Sequence, residues 1–290
     1  MLMATIRDLR IKIKSTRNIQ QITKAMKMVA TARLKRAQQQ LESTRPYARK
    51  IAEVTLDLAS LTPWSFNPLL RPHSKVKRVL ILVFTGDRGM AGGFHQKIAD
   101  GAYQFSLKFQ DQAEVSFYLL GSKGYQRFAS RKFPVFKRYP SGVTGVPYAE
   151  VQKLAKELST FYLNEEFDQI YLYYSKFYST VTQKPRAFQL LPIDPSKARK
   201  KEEHGLFIFE PNQENILDNI LPRYIESEVY RAFLETEVGE LGARMTAMSS
   251  ATDNAGELIE HYQLLMNRIR QSQITTEIAE IVGGAEALKA

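Results

Sequence analysis

The sequence predicts an α/β protein in which the N- and C-terminal helices pair as one long antiparallel coiled coil, with a Rossmann-like α/β domain inserted between them. Three observations predict it. The first is an N-terminal stretch of helix formers, from Ala4 to about Leu58, that has no glycine and one proline, Pro46. The second is a C-terminal seam in which Leu241, Met245, Met248, Thr252, Ala255, Ile259, Tyr262, Met266 and Ile269 alternate steps of four and three. The third is a middle region where apolar strand-like runs alternate with helical ones, the pattern of a mainly parallel sheet.

The N-terminal helix shows apolar residues at helical spacing in three groups: Ile6, Leu9 and Ile13, then Ile19, Ile22, Met26 and Val29, then Leu34, Ala37 and Leu41. Each group drifts against the next, as an apolar stripe does on a straight helix. About fifty helical residues span roughly 75 Å, more than a globular helix uses. In the middle, Lys77–Phe84 reads as a buried strand, Val115–Leu120 as a second and Ile170–Val181 as a third, with Ala187–Ile193 and Leu206–Phe209 completing the set. Helical stretches fall near 92–110, 122–131 and 147–163. Pro63, Pro68 and Pro72 mark the entry linker, and residues 195–205 form a charged loop. The C-terminal helix is expected from about Gln213 to about Glu286, and its glycines at 239, 242 and 256 mark close backbone approach to a partner. The resulting division is 1–60 for the first helix, 61–211 for the α/β domain and 212–290 for the second helix. Neither helix can bury its stripe alone, and a connection through one domain returns the second helix antiparallel to the first.

Charge separates the two ends. Residues 1–50 hold 13 Lys and Arg and only two acids, Asp8 and Glu42, which accounts for the whole net charge of +11. Residues 212–290 hold 6 bases and 13 acids. Opposite charge favours the two helices as neighbours. With no cysteine, disulfides, thiolate nucleophiles and cysteine metal sites are excluded. The longest apolar run, Val79 to Phe84, is far short of the roughly 18 residues that span a bilayer. The basic, amphipathic N-terminus lacks an apolar signal core, and it continues as one regular helix past the usual length of a transit peptide.

Candidate chemistry is thin. The loop Thr85 to Gly93 (TGDRGMAGG) follows the first strand, where a glycine-rich turn can cradle phosphate. It lacks both the P-loop Lys-Ser/Thr and GxGxxG, so a structural turn or a partner contact is the favoured reading over nucleotide binding. His73, His95, His204 and His261 lack metal-ligand spacing, and no Ser/His/Asp set or carboxylate pair stands out. Asp253, Glu257 and Glu260 share a helix face that reads as solvated. No cofactor or metal is expected. The basic helix leaves two partners open, nucleic acid and an acidic protein surface. The absence of aromatic residues before Tyr47 favours the second. The stretch from Ile274 to Ala290 is apolar nearly all round and calls for a sleeve supplied by other subunits.

Three motifs carry a resemblance. The run Ile274-Thr275-Thr276-Glu277-Ile278-Ala279-Glu280-Ile281-Val282-Gly283-Gly284-Ala285-Glu286-Ala287 matches the C-terminal signature of the gamma subunit of F-type ATP synthases. Ile22 to Ala30 (ITKAMKMVA) matches that family's N-terminal run. So does Ala243-Arg244-Met245-Thr246-Ala247-Met248 with Ala251-Thr252-Asp253-Asn254-Ala255. The chain resembles the family from about Ala4 to Leu288. The loop after the first strand departs from the family's usual Ser-Asp-Arg-Gly-Leu: Gly86 replaces the serine and Met90 the leucine, while Asp87, Arg88, Gly89 and Gly92 are kept.

The resemblance implies a central rotor subunit of a proton-translocating F1Fo ATP synthase, itself without catalytic residues. Its partners are implied to be the alpha and beta subunits, the epsilon subunit and the membrane c-ring. Arg33, Lys35 and Arg36 are implied contacts with acidic lever segments of beta. Arg268, Arg270 and Gln271 sit where the family's C-terminal helix bonds to beta loops, with Thr275 and Glu277 a turn further on, and Met26 is expected opposite them. Ile278 to Leu288 is implied to sit in an apolar bearing of the hexamer. The match begins within a few residues of Met1, so no transit peptide is expected. The implied location is the cytoplasmic face of a bacterial cell membrane, held peripherally.

Overall fold

The computed structural model describes residues 5–63, 67–194, 196 and 212–287. Its elements in chain order are α1 (Ile6–Leu61), β1 (Arg78–Phe84), α2 (Phe94–Ser106), β2 (Glu114–Leu120), α3 (Ser122–Ser130), β3 (Val135–Arg138), α4 (Tyr148–Leu163), β4 (Gln169–Phe177), β5 (Gln183–Leu191) and α5 (Gln213–Ala287). Both terminal helices form as expected, and the chain divides into two compact units. One comprises residues up to Ala30 with Met245 onward, and the other runs from Thr31 to Arg244.

In the larger unit the strands form one sheet in the order β3-β2-β1-β4-β5. β1 pairs in parallel with β2 and β4, β2 with β3, and only the β4–β5 pair is antiparallel. The sequence of β1, RVLILVF, explains its central place. Val79, Ile81 and Val83 enter one apolar core with Phe94, Ile98 and Ala102 of α2 and Phe128 of α3. Leu80, Leu82 and Phe84 enter another with Leu154 and Leu158 of α4, Leu58 of α1, and Ile225, Val229 and Phe233 of α5. A strand buried on both faces reads as a continuous apolar run, and this one is wholly buried after Arg78. The two terminal helices thus supply part of the cover of one sheet face.

Three expectations are corrected here. Ile170–Val181 is not one strand: β4 ends at Phe177, and a turn follows in which the Tyr178 and Ser179 N–H groups donate to the Thr182 carbonyl at 3.2 and 3.1 Å. The next strand therefore starts at Gln183, earlier than Ala187, and the two form a hairpin; Pro185 is tolerated because β5 lies at the sheet edge. β3 was not expected, being four residues long and mostly exposed, with no alternation to announce it. The expected strand Leu206–Phe209 lies outside the described residues.

The third correction concerns α1. In the smaller unit four side-chain contacts set the pairing: Lys12 over the Tyr262 ring, Gln20 beside Gly256, Thr23 to Thr252, and Lys27 to Ser249. One number rises as the other falls, so the helices are antiparallel. The buried positions on α1 are Leu9, Ile13, Thr23 and Ala30, continued in the larger unit by Leu34, Ala37 and Leu41. The middle apolar group is not in the seam. Ile19, Ile22 and Val29 are 51%, 60% and 54% exposed, and Gln20, Thr23 and Ala30 take the seam instead. Both seams step by three and four, and only one of the two can face α5.

Candidate functional site

The loop after β1 lies at the carboxyl end of the sheet, where the strand order reverses between β1 and β4. Open α/β sheets bind ligands in that crevice. Here α5 occupies it. Gly239 and Gly242 permit the approach: a Cβ at Gly239 would meet the Phe94 ring at 3.1 Å, and one at Gly242 the Thr180 carbonyl oxygen at 3.2 Å. The close approach expected at these glycines is therefore to the chain's own α/β domain. At Gly256 it is to Gln20 of α1, at 3.2 Å.

Glu240 projects from α5 into the loop and is 1% exposed. Its Oε1 pairs with Nη2 of Arg244 one turn later, at 2.5 Å. The same guanidinium donates to the carbonyls of Arg88 and Gly89 at 3.3 Å. His95 completes the cluster: its Nδ1 accepts the Gly86 N–H at 3.3 Å, and its Nε2 lies 3.0 Å from the Arg88 carbonyl. The Gly86 contact requires an unprotonated Nδ1, and the carbonyl requires a hydrogen on Nε2, so the ring is neutral. Burial pushes the His95 pKa down, more than the nearby Glu240 carboxylate raises it. A side chain at Gly86 would collide with the Glu240 carboxylate, its Cβ falling 2.3 Å from Oε2. Glycine at 86 therefore fits the space that the buried Glu240 carboxylate leaves. Met90 stands at φ 61 and is 60% exposed, so it packs little of the loop.

Asp87 holds the loop from the other side. Its carboxylate accepts the N–H of Ser122 at 2.8 Å and of Gly142 at 2.7 Å. Burial raises its pKa, but these hydrogen bonds outweigh it, and the net shift is downward. Asp87 therefore binds backbone instead of pairing with Arg88. The sequence motifs around Asp87 and around Arg244 form one cluster, which spacing alone did not reveal. His95, Glu240 and Arg244 were not singled out as site residues. Arg244 stood within a matched motif, whereas nothing in the sequence marks Glu240.

The expected contact residues lie elsewhere. Arg33, Lys35 and Arg36 are exposed on α1 in the larger unit, with Arg33 near Glu237 of α5. Burial raises the Glu237 pKa, opposed by a hydrogen bond from the Gly145 N–H. In the smaller unit Arg268, Arg270, Gln271, Thr275 and Glu277 are all exposed along one helix, and Thr275 Oγ1 donates to the Gln271 carbonyl at 2.9 Å. Met26, half-buried, does not lie opposite them. Its neighbour Lys27 donates to Ser249 at 2.9 Å, so Met26 sits about 19 residues, or roughly 28 Å of helix, from Arg268.

Beyond Arg270 every described side chain of α5 is exposed. Ile274, Ile278, Ile281 and Val282 are 48%, 56%, 71% and 56% exposed. α1 begins at Ile6, and with Lys12 level with Tyr262 it is exhausted by about residue 268. The end of α5 thus carries an apolar surface that no described residue covers. No helix of the described residues is long and apolar enough to cross a membrane.

Comparison with known proteins gives a consistent result. A family model described as ATP synthase matches residues 5–288. The ATP synthase gamma chain of Desulforamulus reducens is 41% identical over 287 residues, covering 99% of this chain and 100% of that one. That of Chlorobaculum parvum is 39% identical over 291 residues, with 99% and 100% covered. Among solved structures, a chain of the Euglena gracilis mitochondrial ATP synthase (OSCP/F1/c-ring) has the same fold at TM-score 0.66 and 17% identity, covering 98% of this chain and 94% of that one. A chain of the Tetrahymena thermophila mitochondrial ATP synthase central stalk and c-ring matches at TM-score 0.61 and 24% identity, with 79% and 99% covered.

Proposed function

The chain belongs to the ATP synthase gamma chain family, and from that premise we propose that it is the central rotor shaft of a proton-translocating F1Fo ATP synthase, not itself catalytic. Its functional division is two shaft helices, 1–60 and 212–290, around an α/β domain, 61–211. The observation that carries the reading is the end of α5, where Ile274, Ile278, Ile281 and Val282 are exposed with no described helix beside them. A helix end that exposes this much apolar surface calls for an outside surface to receive it. A ring of alpha and beta subunits supplies such a bearing, and a smooth apolar contact has no directional bonds to resist turning.

The polar contacts divide accordingly. Arg268, Arg270, Gln271, Thr275 and Glu277 form the exposed polar collar just before and within the tip and bond to beta loops. Arg33, Lys35 and Arg36 meet acidic beta segments from α1, and Met26 is a further partner contact on the same helix. Charge-assisted contacts of this kind are strong enough to transmit force, and their exposure keeps each weak enough to break in every turn. The α/β domain holds the shaft to the epsilon subunit and the membrane c-ring. ATP chemistry is assigned to the beta subunits, a reading that the filling of the crevice beside β1 by Glu240 and Arg244 supports. The chain then works peripherally at the cytoplasmic face of a bacterial cell membrane.

Reconstitution with alpha and beta subunits, followed by an ATPase assay, tests the reading. The complex assembles, and Arg270→Ala with Gln271→Ala lowers coupled turnover several-fold without loss of assembly. A chain that fails to co-assemble overturns the shaft. Unchanged turnover removes those two residues from the contact set.

A further inference from the structure

A groove of about 790 Å³ opens between α1, the end of β4 and α5 in the larger unit. Its floor is apolar: Leu41, Ala48 and Leu234 are buried, and Phe177 closes one end. Its rim is basic, with Arg45, Arg49, Lys50, Lys176 and Arg231 against Glu53 and Glu235. Two of these cations are neutralised within the chain. Lys50 pairs with Glu53 at 3.0 Å, and Arg231 with Glu228 at 2.5 Å.

Arg45, Arg49 and Lys176 make no ion pair among the described residues; Lys176 overlies the Tyr178 ring at 5.2 Å and acts at longer range on the Glu235 carboxylate. Arg45 and Arg49 are one helical turn apart, a like-charge arrangement that works against the helix unless an anion sits between them. Pro46 lies beside Arg45 and faces the same groove; it has no N–H, so the helix gives up one hydrogen bond at this point. At the groove base, the Nε of Arg231 is buried without a hydrogen-bond partner and lies 3.9 Å from Oε1 of Glu235. Volume, apolar floor and a few convergent charges match a small-molecule site, not a flat protein contact.

We propose that this groove binds a small organic anion, its carboxylate, phosphate or sulfonate head held by Arg45, Arg49 and Lys176 and its apolar body laid over Leu41, Ala48 and Leu234. The head requirement follows from two arginines without an ion pair among the described residues, beside a lysine that only Glu235 partly offsets, and the body requirement from a floor that a hydrated inorganic ion would leave unused.

The full-length chain titrated with anilinonaphthalene sulfonate and followed by fluorescence tests it. One saturable site per chain is expected, emptied by octyl phosphate and not by an equal concentration of inorganic phosphate. Arg45→Gln with Arg49→Gln weakens that site about tenfold, the loss of two charge-assisted contacts. Both arginines are exposed, so circular dichroism should show an unchanged fold. Ile278→Ser with Ile281→Ser, which reduces the exposed apolar surface at the end of α5, leaves the site intact. Wild-type binding by the arginine variant overturns the proposal. So does equal binding of the uncharged N-phenylnaphthylamine, or displacement by inorganic phosphate as effective as by octyl phosphate.

Discussion

Arg244→Met asks whether the buried pair between α5 and the loop after β1 holds that loop in place. The substitution keeps the length of the side chain and removes the guanidinium. Glu240, 1% exposed, then loses its ion pair, and its Oε2 already has no hydrogen-bond partner. The Arg88 and Gly89 carbonyls lose their donor as well. Removing one partner of a buried pair costs about 3–5 kcal/mol, chiefly because the survivor stays desolvated. The two carbonyl contacts, at 3.3 Å, add at most about 1 kcal/mol. For a unit of this size each kcal/mol lowers Tm by about 2–4 °C, so a drop of roughly 6–24 °C is expected. Because the chain has two units, the melt should be read with hydrogen exchange of the amides from Thr85 to Gly93, which report the affected unit directly. The partner test is Glu240→Leu with Arg244→Met, which removes both charges and should recover to within about 1 kcal/mol of the parent. A single variant within about 1 kcal/mol of the parent, or a double variant less stable than the single, would refute the reasoning.

Two further outcomes follow from the same coordinates. His95 is neutral in the fold and its pKa is held below 6.5 by burial, so the unfolded chain takes up its proton first. Its contribution is complete above pH 6.5 and is lost as pH falls below that value. Glu235 and Glu237, raised by burial, act in the opposite sense, so the comparison must be with His95→Gln, whose stability should fall less between pH 7 and pH 5 by thermal melting; parallel slopes would exclude His95 from the effect. In the smaller unit, Ile22→Ser should cost less than about 0.5 kcal/mol in the isolated chain because Ile22 is 60% exposed, whereas Ala30→Leu should cost about 1–3 kcal/mol by overpacking a residue 2% exposed. Denaturant titration distinguishes the two, and a reversed order would restore the seam to Ile19, Ile22 and Val29.

Much of the larger unit was legible because burial on both faces leaves a plain mark. Val79 to Phe84 could be nothing but a central strand. The helices α2, α3 and α4 start and stop within a few residues of expectation, since each carries one apolar face. The cluster around Arg244 was not legible. Glu240 is an acid in a long helix, where exposure is the ordinary outcome, and its burial depends on His95 and the loop carbonyls, about 150 residues away. Gly86 was visible as a departure from the pattern that the resemblance implies, but the Glu240 carboxylate that crowds it in the fold was not, and no local signal connects the two.

The seam of α1 failed for a different reason. Two rows of heptad-spaced residues run along that helix, one of them Leu9, Ile13, Gln20, Thr23 and Ala30, the other Ile19, Ile22 and Val29. Apolar content selects the second row in the middle of the helix, and the structure selects the first. The choice rests with α5. Thr252 stands in the α5 seam and donates a hydrogen bond to the Met248 carbonyl at 2.7 Å; its Oγ lies 2.8 Å from that of Thr23. Gly256 brings the backbones close enough for Gln20 to lie 3.2 Å from the position of a Cβ. A threonine pair and a glycine approach specify register at some cost in stability, as a polar seam residue does in other coiled coils. The same choice leaves Ile19, Ile22 and Val29 outside, so α1 has one face for α5 and an exposed apolar row about 100° round the helix from it. Under the shaft reading both faces are needed, because a helix that spent all its apolar residues on its own partner would offer the surrounding subunits charge alone.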